Sequence, residues 1–493
     1  MERSSGVLMH ISSLPNDYGI GSFGQAAYDF VDFLSDTKQK YWQILPLTTT
    51  SYGDSPYQSF SAYAGNPYFI DLDILQKEDL LTLEDIEGID FGQDRKSVDY
   101  ALIFKSRQTI LESAVQRFKN KNLSDSYQQF IQENQDWLNP FAEYMAIKET
   151  FDLKAWYEWD EPARKREADA IASYRLDLAE RLDYYRITQF FFYQQWQSLK
   201  AYANQKGIEI IGDMPIYVSR DSVEMWTHPE LFKVDREGNP TLVAGTPPDN
   251  FSTDGQLWGN PIYDWEYHRQ QNYKWWVQRF KESFKLYDWV RIDHFRGFES
   301  FWQVPLSAKT SAEGAWSKGP GCDLFAAVNE ALGDLNIIAE DLGFMTADVI
   351  AMREATGFPG MKILQFGFEE VGDSPDLPHH YPHNSIAYVG THDNETARGW
   401  AQDTASPASI DKIKNYLGEL KDESIADCLN RGIAMSRSYL AIFRMQDLLD
   451  LDNQSRMNTP ATLGGNWKWR MTKEQLTETV KTKLLKLTQT YYR

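Results

Sequence analysis

Eight short apolar runs, each rich in β-branched or aromatic residues and each followed by a polar or Gly-containing loop, recur along the chain. They are Gly6 to His10, Trp42 to Leu45, Glu209 to Met214, Trp289 to Asp293, Asn336 to Glu340, Met361 to Phe366, Ile386 to Thr391 and Ala441 to Gln446. Continuous apolar runs of this length read as strands buried on both faces, the mark of a parallel sheet. Between them lie helical patterns, among them Ala26 to Thr37, with Phe30, Val31, Phe33 and Leu34, and Tyr273 to Leu286, with Trp276, Val277, Phe280 and Phe284. Eight strand and helix units predict an α/β fold, a (β/α)8 TIM barrel.

The chain has 493 residues, and its uneven spacing shows where a single catalytic barrel over 1–493 carries extra chain. Leu80 to Leu199 reads as several charged amphipathic helices, which predicts an inserted, mainly helical subdomain over roughly 53–200, after the second strand. A second insertion is expected over roughly 215–275, after the third strand. It contains Thr246-Pro-Pro-Asp-Asn-Phe-Ser-Thr-Asp-Gly-Gln-Leu-Trp-Gly-Asn-Pro-Ile-Tyr, where turn residues interleave with aromatics. That composition predicts an ordered substrate loop over the catalytic face.

Three of the runs lead into carboxylates: Asp293 in Trp289-Val-Arg-Ile-Asp-His, Glu340 in Asn336-Ile-Ile-Ala-Glu-Asp, and Asp393 in Ala387-Tyr-Val-Gly-Thr-His-Asp. The carboxyl ends of barrel strands are where α/β enzymes build their sites, so three such groups predict acid-based chemistry. Cleaving a glycosidic bond needs one carboxyl that protonates the leaving oxygen and one that attacks the sugar or stabilises its cation. Neighbouring strands lie about 4.8 Å apart, which suits the roughly 5–5.5 Å carboxyl separation of retaining enzymes better than the wider inverting gap.

Arg291 lies two residues before Asp293 and so shares its face of the strand, where a guanidinium would favour an ionised nucleophile. An ordinary buried Arg–Asp pair beneath a loop would look the same. Glu340 follows Ile337, Ile338 and Ala339, and partial desolvation there would raise its pKa towards that of a general acid. Asp393 would bind sugar hydroxyls and favour an oxocarbenium-like transition state. His294 and His392 stand beside Asp293 and Asp393 as hydrogen-bond donors to the same sugar. Asp213, in Ile210-Ile-Gly-Asp-Met-Pro, either orients Arg291 or the sugar, or caps the following loop. Strand-end carboxylates and His also build metal centres, but no His-x-His pair or second ligand set accompanies these, and no metal is assigned. Gly19-Ile-Gly-Ser-Phe-Gly lacks the Lys-Ser/Thr ending of a phosphate loop and reads as a tight turn.

The formal charge of −21 argues against a nucleic-acid or anionic-membrane partner, because neutralising phosphate requires clustered Lys and Arg. A neutral substrate fits better. The 16 Trp, 27 Tyr and 27 Phe supply rings enough to line a sugar site, although most aromatics in any protein are packing. Cys322 and Cys428 are far apart and lack metal-ligand spacing, so neither a disulfide framework nor a zinc site is indicated. With no signal-length apolar segment at the N-terminus and no stretch approaching a membrane span, a cytoplasmic location is expected.

Ordered motifs over almost the whole length carry a family resemblance: His10-Ile-Ser-Ser-Leu-Pro, Tyr18-Gly-Ile-Gly, Ser55-Pro-Tyr-Gln, Gly212-Asp-Met-Pro-Ile-Tyr-Val, the 247–258 loop, Arg291-Ile-Asp-His-Phe-Arg-Gly, Ala339-Glu-Asp-Leu-Gly, Gly390-Thr-His-Asp-Asn-Glu-Thr and Arg456-Met-Asn. On these the chain resembles the 4-α-glucanotransferases (amylomaltases or disproportionating enzymes) of glycoside hydrolase family 77, in the α-amylase clan. The resemblance implies Asp293 as nucleophile, Glu340 as general acid/base and Asp393 as transition-state stabiliser. It implies Asp213, Arg291, His294 and His392 around the donor sugar, and Tyr57, Asp249, Trp258 and Asn458 along the glucan groove. It further implies maltooligosaccharides and α-1,4-glucans as donor and acceptor and no cofactor, and it leaves protein partners unknown. Ala461, after Pro460, departs from the Gly expected there. A retaining α-glucan hydrolase would use the same carboxylates, and a catalytically silent glucan-binding protein would need neither an Arg-supported nucleophile nor a separate acid.

Overall fold

The computed structural model of the chain describes residues 2–51, 53–121, 124–248, 253–369 and 372–493. Twelve strands are present among them: β1 (Ser4–Leu8), β2 (Tyr41–Gln43), β3 (Glu209–Pro215), β4 (Leu242–Thr246), β5 (Gln256–Pro261), β6 (Trp289–Asp293), β7 (Ser300–Pro305), β8 (Ala315–Lys318), β9 (Ile337–Ala339), β10 (Gly360–Ile363), β11 (Ser385–Tyr388) and β12 (Leu440–Arg444). Eight of them close a barrel in the order β1, β12, β11, β10, β9, β6, β3, β2, with every pairing parallel. Each of the eight coincides with one of the eight apolar runs. The strands are shorter than several of the runs, because apolar residues such as Ile44 and Leu45 stay buried after the ladder ends. Burial of Val7, Trp42, Ile211, Val290, Ile338, Ile363, Ile386 and Ile442 from both sides is what produces an uninterrupted apolar sequence.

Helices follow the barrel strands and cover them, for example Gln25–Asp36 after β1, Lys274–Leu286 after β3, Cys322–Leu332 after β6 and Pro407–Leu417 after β11. On Lys274–Leu286 the faces of Trp276 and Phe280 are completely buried against the barrel. None of the helices is long and apolar enough to cross a membrane among the described residues.

Between β2 and β3 run the long helices Tyr100–Asn120, Asp125–Thr150 and Ala179–Gln205, with shorter ones between. Ala179–Gln205 fastens the loop after β2 from outside. The Gln189 amide donates to Gly65 O at 2.8 Å and accepts from Gly65 N at 2.7 Å, and Gln195 does the same at Asp71, at 3.2 and 2.7 Å. Paired amide bonds to a buried main chain replace the ladder that a loop lacks. They fix the segment that carries Tyr57.

The described part of the stretch from Thr246 to Tyr263 proves to be more than a loop. β4 and β5 form an antiparallel pair with a register shift between Val243 and Gly245, and β7 and β8 extend it to a four-stranded sheet in the order β5, β4, β7, β8. Sequence reading sees turn residues in Gly259-Asn-Pro and misses that this segment pairs with β4, which in turn depends on β7 some 60 residues further on.

Candidate active site

The strand register assembles the centre of the site. Asp213 on β3 stands directly opposite Arg291 on β6, and Arg291 lies two residues from Asp293 on the same face. One nitrogen serves both acids. Arg291 Nη1 donates to Asp213 Oδ1 and Oδ2 at 2.9 and 2.7 Å and to Asp293 Oδ1 at 3.0 Å. Tyr57 donates its hydroxyl to Asp213 Oδ2 at 2.9 Å. The Asp213 side chain is fully shielded, whereas that of Asp293 is 31% exposed and opens to the barrel mouth. Burial raises Asp213 and is opposed by Arg291, while the two carboxylates hold Arg291 above its ordinary range and keep it cationic.

Glu340 comes next around the barrel, one residue beyond β9. Register pairs Ile292 with Ala339, so Asp293 and Glu340 leave neighbouring strands side by side. Glu340 Oε2 accepts from His294 N at 2.7 Å and Oε1 accepts from Leu342 N at 3.0 Å. His294 itself adopts the left-handed conformation, φ +53° and ψ +47°, uncommon for a side-chain-bearing residue, and the next N–H along, that of Phe295, donates to Glu340 O at 3.2 Å. Burial is the main cause that raises the Glu340 pKa to about 7; Arg291 opposes it, the Asp293 charge adds to it, and the two N–H bonds pull it down.

On the other side of the mouth, Asp393 is held by the segment 456–458. Asn458 Nδ2 donates to Asp393 Oδ1 at 2.6 Å, and Arg456 donates to Asp393 O at 2.5 Å and to Asn458 O at 2.8 Å. His392 Nε2 lies 3.4 Å from the same Asp393 oxygen. Its ring stacks on Tyr57, with centroids 5.2 Å apart and planes 17° apart. Burial lowers the His392 pKa and pushes that of His294 to about 4, so both rings stay neutral hydrogen-bonding groups near neutrality. Trp258 meets His294 edge to face at 4.9 Å.

Of the residues singled out in the sequence, Tyr57, Asp213, Trp258, Arg291, Asp293, His294, Glu340, His392, Asp393 and Asn458 thus gather at one mouth; Asp249 lies outside the described residues. Sequence reading missed Trp467. Its ring sits 5.8 Å from both Tyr57 and His392, and its backbone is left-handed at φ +64°. The preceding Gly464-Gly465-Asn466 marks a turn, but only the fold brings the ring here.

A parallel eight-stranded barrel with three carboxylates at its mouth, one tied to an Arg and one raised towards neutrality, is the build of a carbohydrate-active enzyme. The sequence matches the family model described as 4-alpha-glucanotransferase, glycoside hydrolase family 77, over residues 9–477. A 4-alpha-glucanotransferase of Streptococcus pneumoniae is 59% identical over 493 residues, covering 100% of this chain and 98% of the relative. That of Thermus thermophilus is 43% identical over 481 residues, covering 96% and 95%. The amylomaltase of Streptococcus agalactiae, solved in complex with acarbose, is 52% identical, covers 100% of both chains and superposes with a TM-score of 0.98. The chain belongs to the 4-α-glucanotransferases of glycoside hydrolase family 77, and it is an enzyme.

Proposed function

We propose that the chain transfers α-1,4-glucan segments between maltodextrins by double displacement with net retention, through a covalent glycosyl-Asp293 intermediate. The observation that carries this reading is the division of labour on adjacent strands: Asp293 against a cationic Arg291, and Glu340 raised to about 7 beside it. Asp293 attacks the anomeric carbon as the glycosidic C–O bond breaks, and the leaving oxygen takes its proton from Glu340. The 4-hydroxyl of a second glucan then gives its proton to Glu340 and displaces Asp293, restoring the α linkage. Asp393, pinned by Asn458, supports the positive charge on the sugar in both steps.

In this reading Asp213 orients Arg291, His294 and His392 bind the donor sugar, and Tyr57, Asp249, Trp258 and Asn458 border the groove. The units expected at roughly 53–200 and 215–275 would form its walls, since Tyr57 and Trp258 come from those stretches. Acarbose in the Streptococcus agalactiae amylomaltase supports an α-glucan as the ligand. The reaction belongs to starch, glycogen or maltose metabolism in the cytoplasm.

Incubation with maltotriose tests the proposal. Transfer gives glucose together with a ladder of longer maltodextrins. Shorter products alone would overturn it in favour of the retaining hydrolase.

A further inference from the structure

Away from the catalytic mouth, three side chains outside the mechanism converge on one point. His379 Nε2 lies 2.9 Å and His380 Nε2 2.8 Å from the same oxygen, Oδ1 of Asp373. One ligand-capable atom from each of the three lies within 4.8 Å of the other two. The imidazoles are neighbours in the turn Pro378–His380, with ring centroids 4.0 Å apart. A third contact fixes the orientation of one ring: His379 Nδ1 lies 2.8 Å from the Tyr416 hydroxyl, which also accepts from the His379 backbone N–H at 3.2 Å.

We propose that Asp373, His379 and His380 form a surface site for one divalent transition-metal cation of the zinc, nickel or copper class, with water completing its coordination. Imidazole nitrogen with one carboxylate oxygen is the donor set that such borderline cations select, whereas calcium and magnesium prefer oxygen alone. The geometry is nearly made. Two metal bonds of about 2.1 Å leave their ligand atoms about 3.0 Å apart at right angles and about 3.4 Å apart at the tetrahedral angle, so the two N···O separations here need open by only a few tenths of an ångström. A cation placed between the rings and Asp373 replaces the shared ring protons as the partner of Oδ1. The His379 proton then resides on Nδ1, where the Tyr416 oxygen accepts it, which is the outer hydrogen bond that orients metal-bound imidazoles. The charge of −21 also favours cations at the surface.

The position indicates what the site does. The Pro378–His380 turn comes just before Ser385, where β11 starts, whereas Asp393 lies beyond the end of the same strand. An occupant there fastens the 373–380 turn, through Tyr416, to helix Pro407–Leu417 and takes no part in catalysis.

Calorimetric titration of tag-free, chelator-stripped protein with Ni2+ or Zn2+ tests this. One equivalent binds in the micromolar range, saturating metal raises Tm by about 2–4 °C, and maltotriose turnover is unchanged. Asp373→Asn and His380→Gln, both conservative exchanges on the surface, each weaken binding tenfold or more, and Tyr416→Phe weakens it several-fold. Uptake that is the same in the wild type and in the His379→Ala/His380→Ala double variant overturns the proposal, as does the absence of micromolar binding by the wild type.

Discussion

Arg291 uses a single nitrogen to hold Asp213 and to touch Asp293, so the two acids are not interchangeable. Asp213 is enclosed, whereas Asp293 is partly exposed at the mouth. Asp293→Asn keeps the shape but removes the proposed nucleophile, and should lower transfer by at least about 10³-fold while leaving glucan affinity nearly unchanged; near-normal turnover would refute the assignment. In the proposed mechanism the protonated form of Glu340 is the reagent in the first half-reaction. With its pKa near 7, kcat/KM for a maltodextrin donor should fall about tenfold per pH unit above that value. A glycosyl fluoride needs no proton on its leaving group, so with this donor the alkaline fall should vanish and Glu340→Gln should retain partial activity. Equal loss on both donors would count against Glu340 as the acid. The link from Arg291 to Asp293 was legible in the sequence because it is local, two residues along one strand. The link from Arg291 to Asp213 was left open there because it depends on the register of β3 against β6, and Trp467 escaped notice because its partners Tyr57 and His392 are distant in sequence.

Strand β3 shows how an element sets a site. A Cβ added at Gly212 would stand 2.2 Å from the Tyr287 ring, which packs against the strand and whose hydroxyl accepts from Leu47 N at 3.3 Å. Gly212→Ala must therefore displace Tyr287 or the strand, and Asp213 with it. The expected cost is about 1–3 kcal/mol of stability by overpacking, read as a lower urea midpoint, together with a reduced kcat; an unchanged midpoint would contradict the packing argument. The eight barrel strands were legible because a strand buried on both faces writes a run that needs no knowledge of its partners. The sheet β5, β4, β7, β8 was not legible. Ala315–Lys318 is largely exposed and only four residues long, and Gln256–Pro261 mixes polar, Gly and Pro residues, so pairing rather than local propensity makes them strands.

Across the whole molecule, burial sets two groups of ionisable residues against each other. It pushes His10 to about 3 and His268 and His294 to about 4, so below the ordinary imidazole range the unfolded chain binds more protons than the native one. The stability of these neutral rings is complete above pH of about 6.5 and is lost as pH falls towards their folded values. Glu340 is raised to about 7, with the opposite sign: its contribution is complete below about pH 4 and is lost as pH rises through 7. Between about pH 4.5 and 6.5 the three rings outweigh the one acid, and only the acid titrates from there to 7, so these four groups together favour a maximum near pH 6.5. His268 isolates one of these contributions, because it lies outside the active site and its Nε2 bonds Leu231 O at 3.1 Å, a contact that a Gln amide can also make. Relative to the wild type, His268→Gln should lose less stability between pH 6.5 and 4, by on the order of 3 kcal/mol. Urea unfolding followed by Trp fluorescence at a series of pH values gives the comparison. Two curves that stay parallel across that interval would mean that His268 is not held neutral by the fold.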